Sequence, residues 1–153
     1  MIEAKPSDVE ITYQIMCNSI KLYIEKLWAW DDTHQQKIHK KKFKATKTIL
    51  IEFQKTIVGY LVLSENENEI FLENLLIDVS FQNLGIGKDV MKSVIKKSNS
   101  EMKTIRLKVF KINMKAQKFY QNLGFEKTSE NEFNFEMKRA FRLSKKASPQ
   151  KKS

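Results

Sequence analysis

Cysteine is nearly absent from this sequence: Cys17 is the only one in 153 residues, so no internal disulfide can form, and a reducing compartment is the simplest expectation. No run approaches the roughly 20 consecutive apolar residues that a membrane span needs. The opening residues, MIEAKPSDVE, carry neither the basic n-region nor the apolar h-region of a signal peptide. A cytoplasmic protein is therefore expected. Histidine is scarce too. His34 and His39 have no set of further Cys or His residues around them, so no metal site is expected and their helix reads as surface. Cys17 lies on an apolar helix face without an activating pair, and reads as a small packed hydrophobe.

What is present is a globular composition, 41% hydrophobic and 30% charged, at a length that suits one domain with a real core. The net charge of +10 is unevenly placed. Residues 138–153 (KRAFRLSKKASPQKKS) hold seven Lys or Arg and no acid, leaving 21 basic against 18 acidic residues in 1–137. The charge therefore argues for a domain over 1–138 and a basic, disordered tail over 139–153, rather than for a nucleic-acid-binding body.

Tyr13, Met16, Cys17, Ile20, Ile24 and Leu27 recur at helical spacing, so 11–28 reads as an amphipathic helix. Asp31 and Asp32 open a second helix reaching about residue 44, with acids at its start and lysines at its end, as the helix dipole prefers. ILIEF (49–53) and IVGYLVL (57–63) read as a hairpin, and EIFLENLLIDV (69–79) as a third strand. A helix over 85–98 turns Ile86, Val90, Met91, Val94 and Ile95 to one face. TIRLKVF (104–110) is a strand. Asn113 caps a helix over 114–123 that buries Ala116, Phe119, Tyr120 and Leu123, and Gly124 stops it. Two short strands, FEKTS and NEFNFEM, close the domain. The fold class expected is α/β (α+β), one mixed and largely antiparallel sheet flanked by helices.

The segment Ile77-Asp78-Val79-Ser80-Phe81-Gln82-Asn83-Leu84-Gly85-Ile86-Gly87-Lys88 runs from a strand through a two-glycine turn into a helix N-terminus. Glycines let a backbone approach a ligand closely, and first-turn amides carry partial positive charge, a cradle for a pyrophosphate. A nucleotide P-loop needs a Ser or Thr after its lysine, and Asp89 follows Lys88. A dinucleotide fingerprint needs a third Gly or Ala where Val90 stands. An ordinary strand-to-helix turn stays open.

Gln82, Gly85 and Gly87 resemble the Q/R-x-x-G-x-G/A loop of the GNAT acetyltransferase superfamily. Asn113, Tyr120 and NLGF (122–125) resemble its N-x6-Y…x-GF segment. The likeness covers roughly residues 46–137. It implies an acyl-CoA N-acyltransferase fold and acetyl-CoA as co-substrate, without a metal. Leu75, Leu76 and Ile77 would pair their backbone with pantetheine as if it were a strand. Gln82, Asn83, Leu84, Gly85, Ile86, Gly87 and Lys88 would hold the pyrophosphate. Asn113 would meet the cofactor near its reactive end, and it can serve as a helix N-cap at the same time.

Acetyl transfer needs the amine delivered neutral, the thioester carbonyl polarised by a backbone N–H, and the leaving thiolate protonated. Tyr120 matches the superfamily's usual acid, against a reading as a core aromatic. Glu73 is the base candidate, against a reading as a solvent-facing strand-edge charge. Relatives that acetylate a ribosomal-protein alanine carry a glutamate five residues before the Asn. Lys108 stands there, which disfavours that acceptor.

Trp28-Ala29-Trp30-Asp31-Asp32, with His34 and Gln35, resembles the W-G-W-D-E-x-x-Q stretch of a bacterial GNAT subgroup. Two indoles and two carboxylates would suit an ammonium-bearing acceptor. Alternatively the tryptophans pack and Asp31 caps the helix. The acceptor expected is then a small cationic amine, taken up directly in a ternary complex by a monomer or homodimer, with no membrane partner and with nucleic acid disfavoured. A protein or peptide amine as acceptor, a silent acyl-CoA-binding or regulatory module, and a nucleic-acid-binding protein using the basic tail are the alternatives.

Overall fold

The computed structural model describes residues 1–27 and 30–143. Strands β1 (Ile2–Glu3), β2 (Thr48–Phe53), β3 (Thr56–Glu65), β4 (Glu69–Ile77), β5 (Thr104–Phe110), β6 (Glu126–Glu130) and β7 (Asn134–Arg139) form one sheet in the order β1-β2-β3-β4-β5-β7-β6. Helices α1 (Val9–Leu27), α2 (Asp32–Lys42), α3 (Ile86–Glu101) and α4 (Met114–Asn122) complete the chain. The mixed α/β class expected from sequence is the one observed. Among the described residues, no helix is long and apolar enough to cross a membrane. The chain divides into two compact units, residues 1–63 with 73–87 and residues 64–72 with 88–153.

In the first unit, β2 and β3 form the expected antiparallel hairpin, closed at the pair Phe53↔Thr56. Gln54 and Lys55 take φ of 50° and 65°, the left-handed pair that a tight two-residue turn requires. Ile15 of α1 packs with Leu50 and Tyr60, and Leu76 of β4 joins that cluster. Gly59 is a requirement of this packing: a Cβ there would lie 2.4 Å from the Leu76 carbonyl oxygen. β4 ends at Ile77, two residues earlier than the sequence suggests. The Asp78 carboxylate accepts from Ser80 N at 3.0 Å and curls 79–81 into a short 3₁₀ turn.

In the second unit, the parallel ladder between β4 and β5 runs from Glu69↔Thr104 to Leu72↔Leu107. β5 pairs antiparallel with β7, and β7 with β6. Ile105, Leu107, Met91, Val94 and Met137 are buried here. Each such side chain contributes about 1.5–3 kcal/mol by leaving water. Arg139, grouped with the tail by its charge, belongs to a strand. Arg139 is the last residue of β7, 7% exposed, and its Nε donates to the Leu123 carbonyl at 2.9 Å. Its guanidinium closes the C-terminal end of α4, where helix carbonyls favour a cation. The tail from 144 onward lies outside the described residues.

Candidate active site

In the first unit, the end of β4 is tied to α1. The Ile77 carbonyl accepts from Ser19 Oγ at 2.8 Å and from Gln82 Nε2 at 2.9 Å, and Asn18 Nδ2 donates to Asp78 at 2.9 Å. The Gln82 side chain thus folds back and closes the turn on its own strand. Beyond it Asn83 has φ 65° and Gly85 has φ 83°. A Cβ built on Gly85 would meet nothing within 4 Å, so this glycine answers to backbone conformation and not to crowding by the protein. Leu84 is 58% exposed. With glycine directly before Ile86, no side chain at that position can cap the first turn of α3. Leu75, Leu76 and Ile77 are half-buried, and Glu73 is exposed on the same strand.

The segment between α1 and α2 belongs to the same unit. Trp28 lies outside the described residues. Asp31 and Asp32 do different work. The Asp31 carboxylate accepts from His34 N at 3.1 Å and caps α2. Asp32 receives Trp30 Nε1 on Oδ1, while the Tyr13 hydroxyl reaches its backbone carbonyl at 3.2 Å and the same Oδ1 at 3.5 Å. Burial raises the Tyr13 phenol above its ordinary value, helped by Cys17 and Asp32 alongside, so it stays a donor.

His39 is not the surface residue expected. Its ring lies half-buried near Tyr13, Phe43 and Tyr60, with Nε2 2.8 Å from Thr12 Oγ1. Thr12 spends its one proton on the Val9 carbonyl at 2.8 Å, so the imidazole must be the donor to Oγ1. Burial lowers its pKa, against the opposing pull of the Val9 carbonyl and the Glu10 charge.

In the second unit, Tyr120 on α4 is 8% exposed and stacks edge-on with Phe119 and Phe125, at centroid distances of 5.1 and 5.5 Å. Its hydroxyl has no hydrogen-bond partner among the described residues, and burial raises its pKa. Asn113 Oδ1 accepts from Ala116 N at 3.0 Å, the expected N-cap. Gln117, which the sequence analysis passed over, is buried and donates to the carbonyls of Phe110 at 3.1 Å and Lys111 at 2.8 Å. Lys88 is exposed in the first turn of α3, and Lys108 sits opposite Glu136 across β5 and β7.

A family model described as the acetyltransferase (GNAT) domain matches residues 18–147. The spermine/spermidine N(1)-acetyltransferase of Bacillus subtilis is 28% identical over 100 residues, 59% of this chain and 66% of that enzyme. The PaiA N-acetyltransferase of Thermoplasma acidophilum, solved with coenzyme A, superposes with a TM-score of 0.75 at 16% identity, over 91% of this chain and 96% of that one. Arabidopsis thaliana Naa50, in complex with the bisubstrate analogue CoA-Ac-MVNAL, gives a TM-score of 0.58 at 22% identity, over 61% of this chain and 72% of that one. The chain has the fold of these proteins, carries the glycine turn and the N-x6-Y spacing on the expected elements, and belongs to the GNAT acetyltransferase family.

Proposed function

We propose that the chain is an acetyl-CoA-dependent N-acetyltransferase whose acceptor is a small cationic amine, attacked directly in a ternary complex. The observation that carries the reading is the turn into α3, where Gly85 at φ 83° precedes a first helical turn that it cannot cap. The amides of 83–88 are there for a pyrophosphate, whose charge suits the helix dipole. Leu75, Leu76 and Ile77 lie past the last rung of the β4–β5 ladder at Leu72, which supports their pairing with the pantetheine arm.

Acetyl-CoA supplies the acetyl group as a thioester. The chain's own residues manage protons. Glu73, exposed at the middle of β4, takes the proton that the attacking ammonium must lose before its lone pair is available. Tyr120 keeps its proton at neutral pH because burial raises its pKa, and it delivers that proton to the departing sulfur as the C–S bond breaks. A hydroxyl buried without a protein partner is costly, and a leaving group that accepts from it removes that cost. Asn113 borders the same end of the cofactor. Trp30 and Asp32 hold the acceptor's positive charge, a reading supported by the polyamine substrate in the name of the Bacillus subtilis relative.

A coupled assay of CoA release over a panel of amines tests this. Turnover with diamines and polyamines above that with peptides bearing a free α-amine is the expected result. Peptide preference would move the acceptor to a protein amine. Acetyl-CoA binding without release of CoA on any amine would make the chain a silent acyl-CoA-binding module.

A further inference from the structure

We infer that Tyr13 is a positioning residue for acceptor choice: through its hydroxyl it fixes Asp32, and so sets which amines the enzyme accepts. The inference rests on the reading of Asp32 as the group that holds a cationic acceptor. Two neighbouring aspartates open α2, and the structure separates them. Asp31 is consumed by the helix, its carboxylate bonded to His34 N at 3.1 Å. The Asp32 carboxylate is gripped from one side only. Oδ1 takes the indole N–H of Trp30, and the Tyr13 hydroxyl shares its single proton between Oδ1 at 3.5 Å and the Asp32 carbonyl at 3.2 Å. Oδ2 has no partner among the described residues, and Asp32 is exposed.

An anion held through one oxygen and its own backbone presents the other oxygen in a fixed direction. That is the arrangement for receiving an ammonium from solvent, since the rotamer entropy of the carboxylate is already spent. Tyr13 itself is buried on α1, at 6% exposure, and contributes position rather than contact. The chemical class selected is an amine with a second positive group, one nitrogen reacting and the other resting on Asp32 Oδ2.

The test is a set of steady-state measurements with 1,4-diaminobutane and with butylamine, which lacks the second charge, on wild type, Tyr13→Phe, Asp32→Asn and the double variant. Asp32→Asn should raise the KM for the diamine about ten-fold, and Tyr13→Phe about three- to ten-fold, the scale of one hydrogen bond each. The double variant should be no worse than Asp32→Asn alone, because Tyr13 acts through Asp32. The KM values for butylamine and acetyl-CoA, and kcat, should hardly move. If Asp32→Asn raises the diamine KM while Tyr13→Phe does not, or if the two effects add, the positioning role is wrong and the acceptor reading stands. If Asp32→Asn leaves the diamine KM unchanged, the acceptor reading falls and this inference falls with it. Should Tyr13→Phe be too unstable to assay under the wild-type conditions, all four proteins are measured at a lower temperature where circular dichroism shows each of them folded, and the same outcomes decide the question.

Discussion

Two helices of this protein, α3 and α4, each come next after a strand in the chain, and their first turns are finished in opposite ways. Before α4, the Asn113 side chain accepts from Ala116 N at 3.0 Å, and the Gln117 amide donates to the carbonyls of Phe110 at 3.1 Å and Lys111 at 2.8 Å. That turn is closed by the protein's own side chains. Before α3, Gly85 offers no side chain at all, its φ is 83°, and the space where a Cβ would go is empty. Gln82, three residues before it, reaches back to the Ile77 carbonyl instead of forward to the helix. The Tyr120 hydroxyl belongs with this second case, buried and without a protein partner among the described residues. The contrast teaches where to look for each property. Groups the protein satisfies hold the fold, and groups it leaves unsatisfied are where we propose that a ligand binds.

The strongest break of this comparison is at Tyr120. Tyr120→Phe removes a hydroxyl without a hydrogen-bond partner among the described residues, so the melting temperature should hardly change. Turnover should nevertheless fall by roughly 10²–10⁴-fold, the range for loss of a general acid, as read by CoA release. A variant with unchanged turnover would return Tyr120 to the core with Phe119 and Phe125.

At the closed turn the balance reverses. Asn113→Ala should lower stability by about 1 kcal/mol through loss of the cap, and Asn113→Asp should restore most of it. Chemical denaturation measures both. An Ala variant as stable as wild type would mean that this cap does not carry α4.

The smallest effect concerns His39, another satisfied group. Burial lowers its folded pKa below the unfolded value of about 6.5, so its contribution is complete above that pH. It is lost as pH falls, because the unfolded chain then binds the proton more readily. His39→Gln keeps a donor for Thr12 and does not titrate. The melting temperature of wild type relative to this variant should therefore fall between about pH 7.5 and pH 5. A difference independent of pH would mean that the ring is not held neutral.

Much of this was legible in the sequence. The helix α1, the β2–β3 hairpin, the glycine turn and the Asn113 cap all follow from local spacing, and local spacing is what a one-dimensional reading can weigh. The parts that were not legible are polar groups buried by distant partners. Gln117 looks like the solvent side of a short helix until the carbonyls of Phe110 and Lys111 are seen beneath it. His39 looks exposed on a helix with no buried residue until Thr12, 27 positions away, meets its ring. Arg139 had a signal, since Phe135, Met137 and Arg139 alternate along β7, but its charge is that of the basic tail that follows. The two-residue β1 is too short to carry a pattern.

The most direct test is acetyl-CoA binding by calorimetry and thermal shift on wild type, Gly85→Asp and Gly87→Glu. Each variant puts a carboxylate where the first-turn amides should meet a pyrophosphate. Wild type should bind and be stabilised by acetyl-CoA. Both variants should stay folded and lose that binding. Unchanged affinity in folded Gly85→Asp and Gly87→Glu would contradict the assignment of this turn, and with it the claim that its unfinished end is kept for the cofactor.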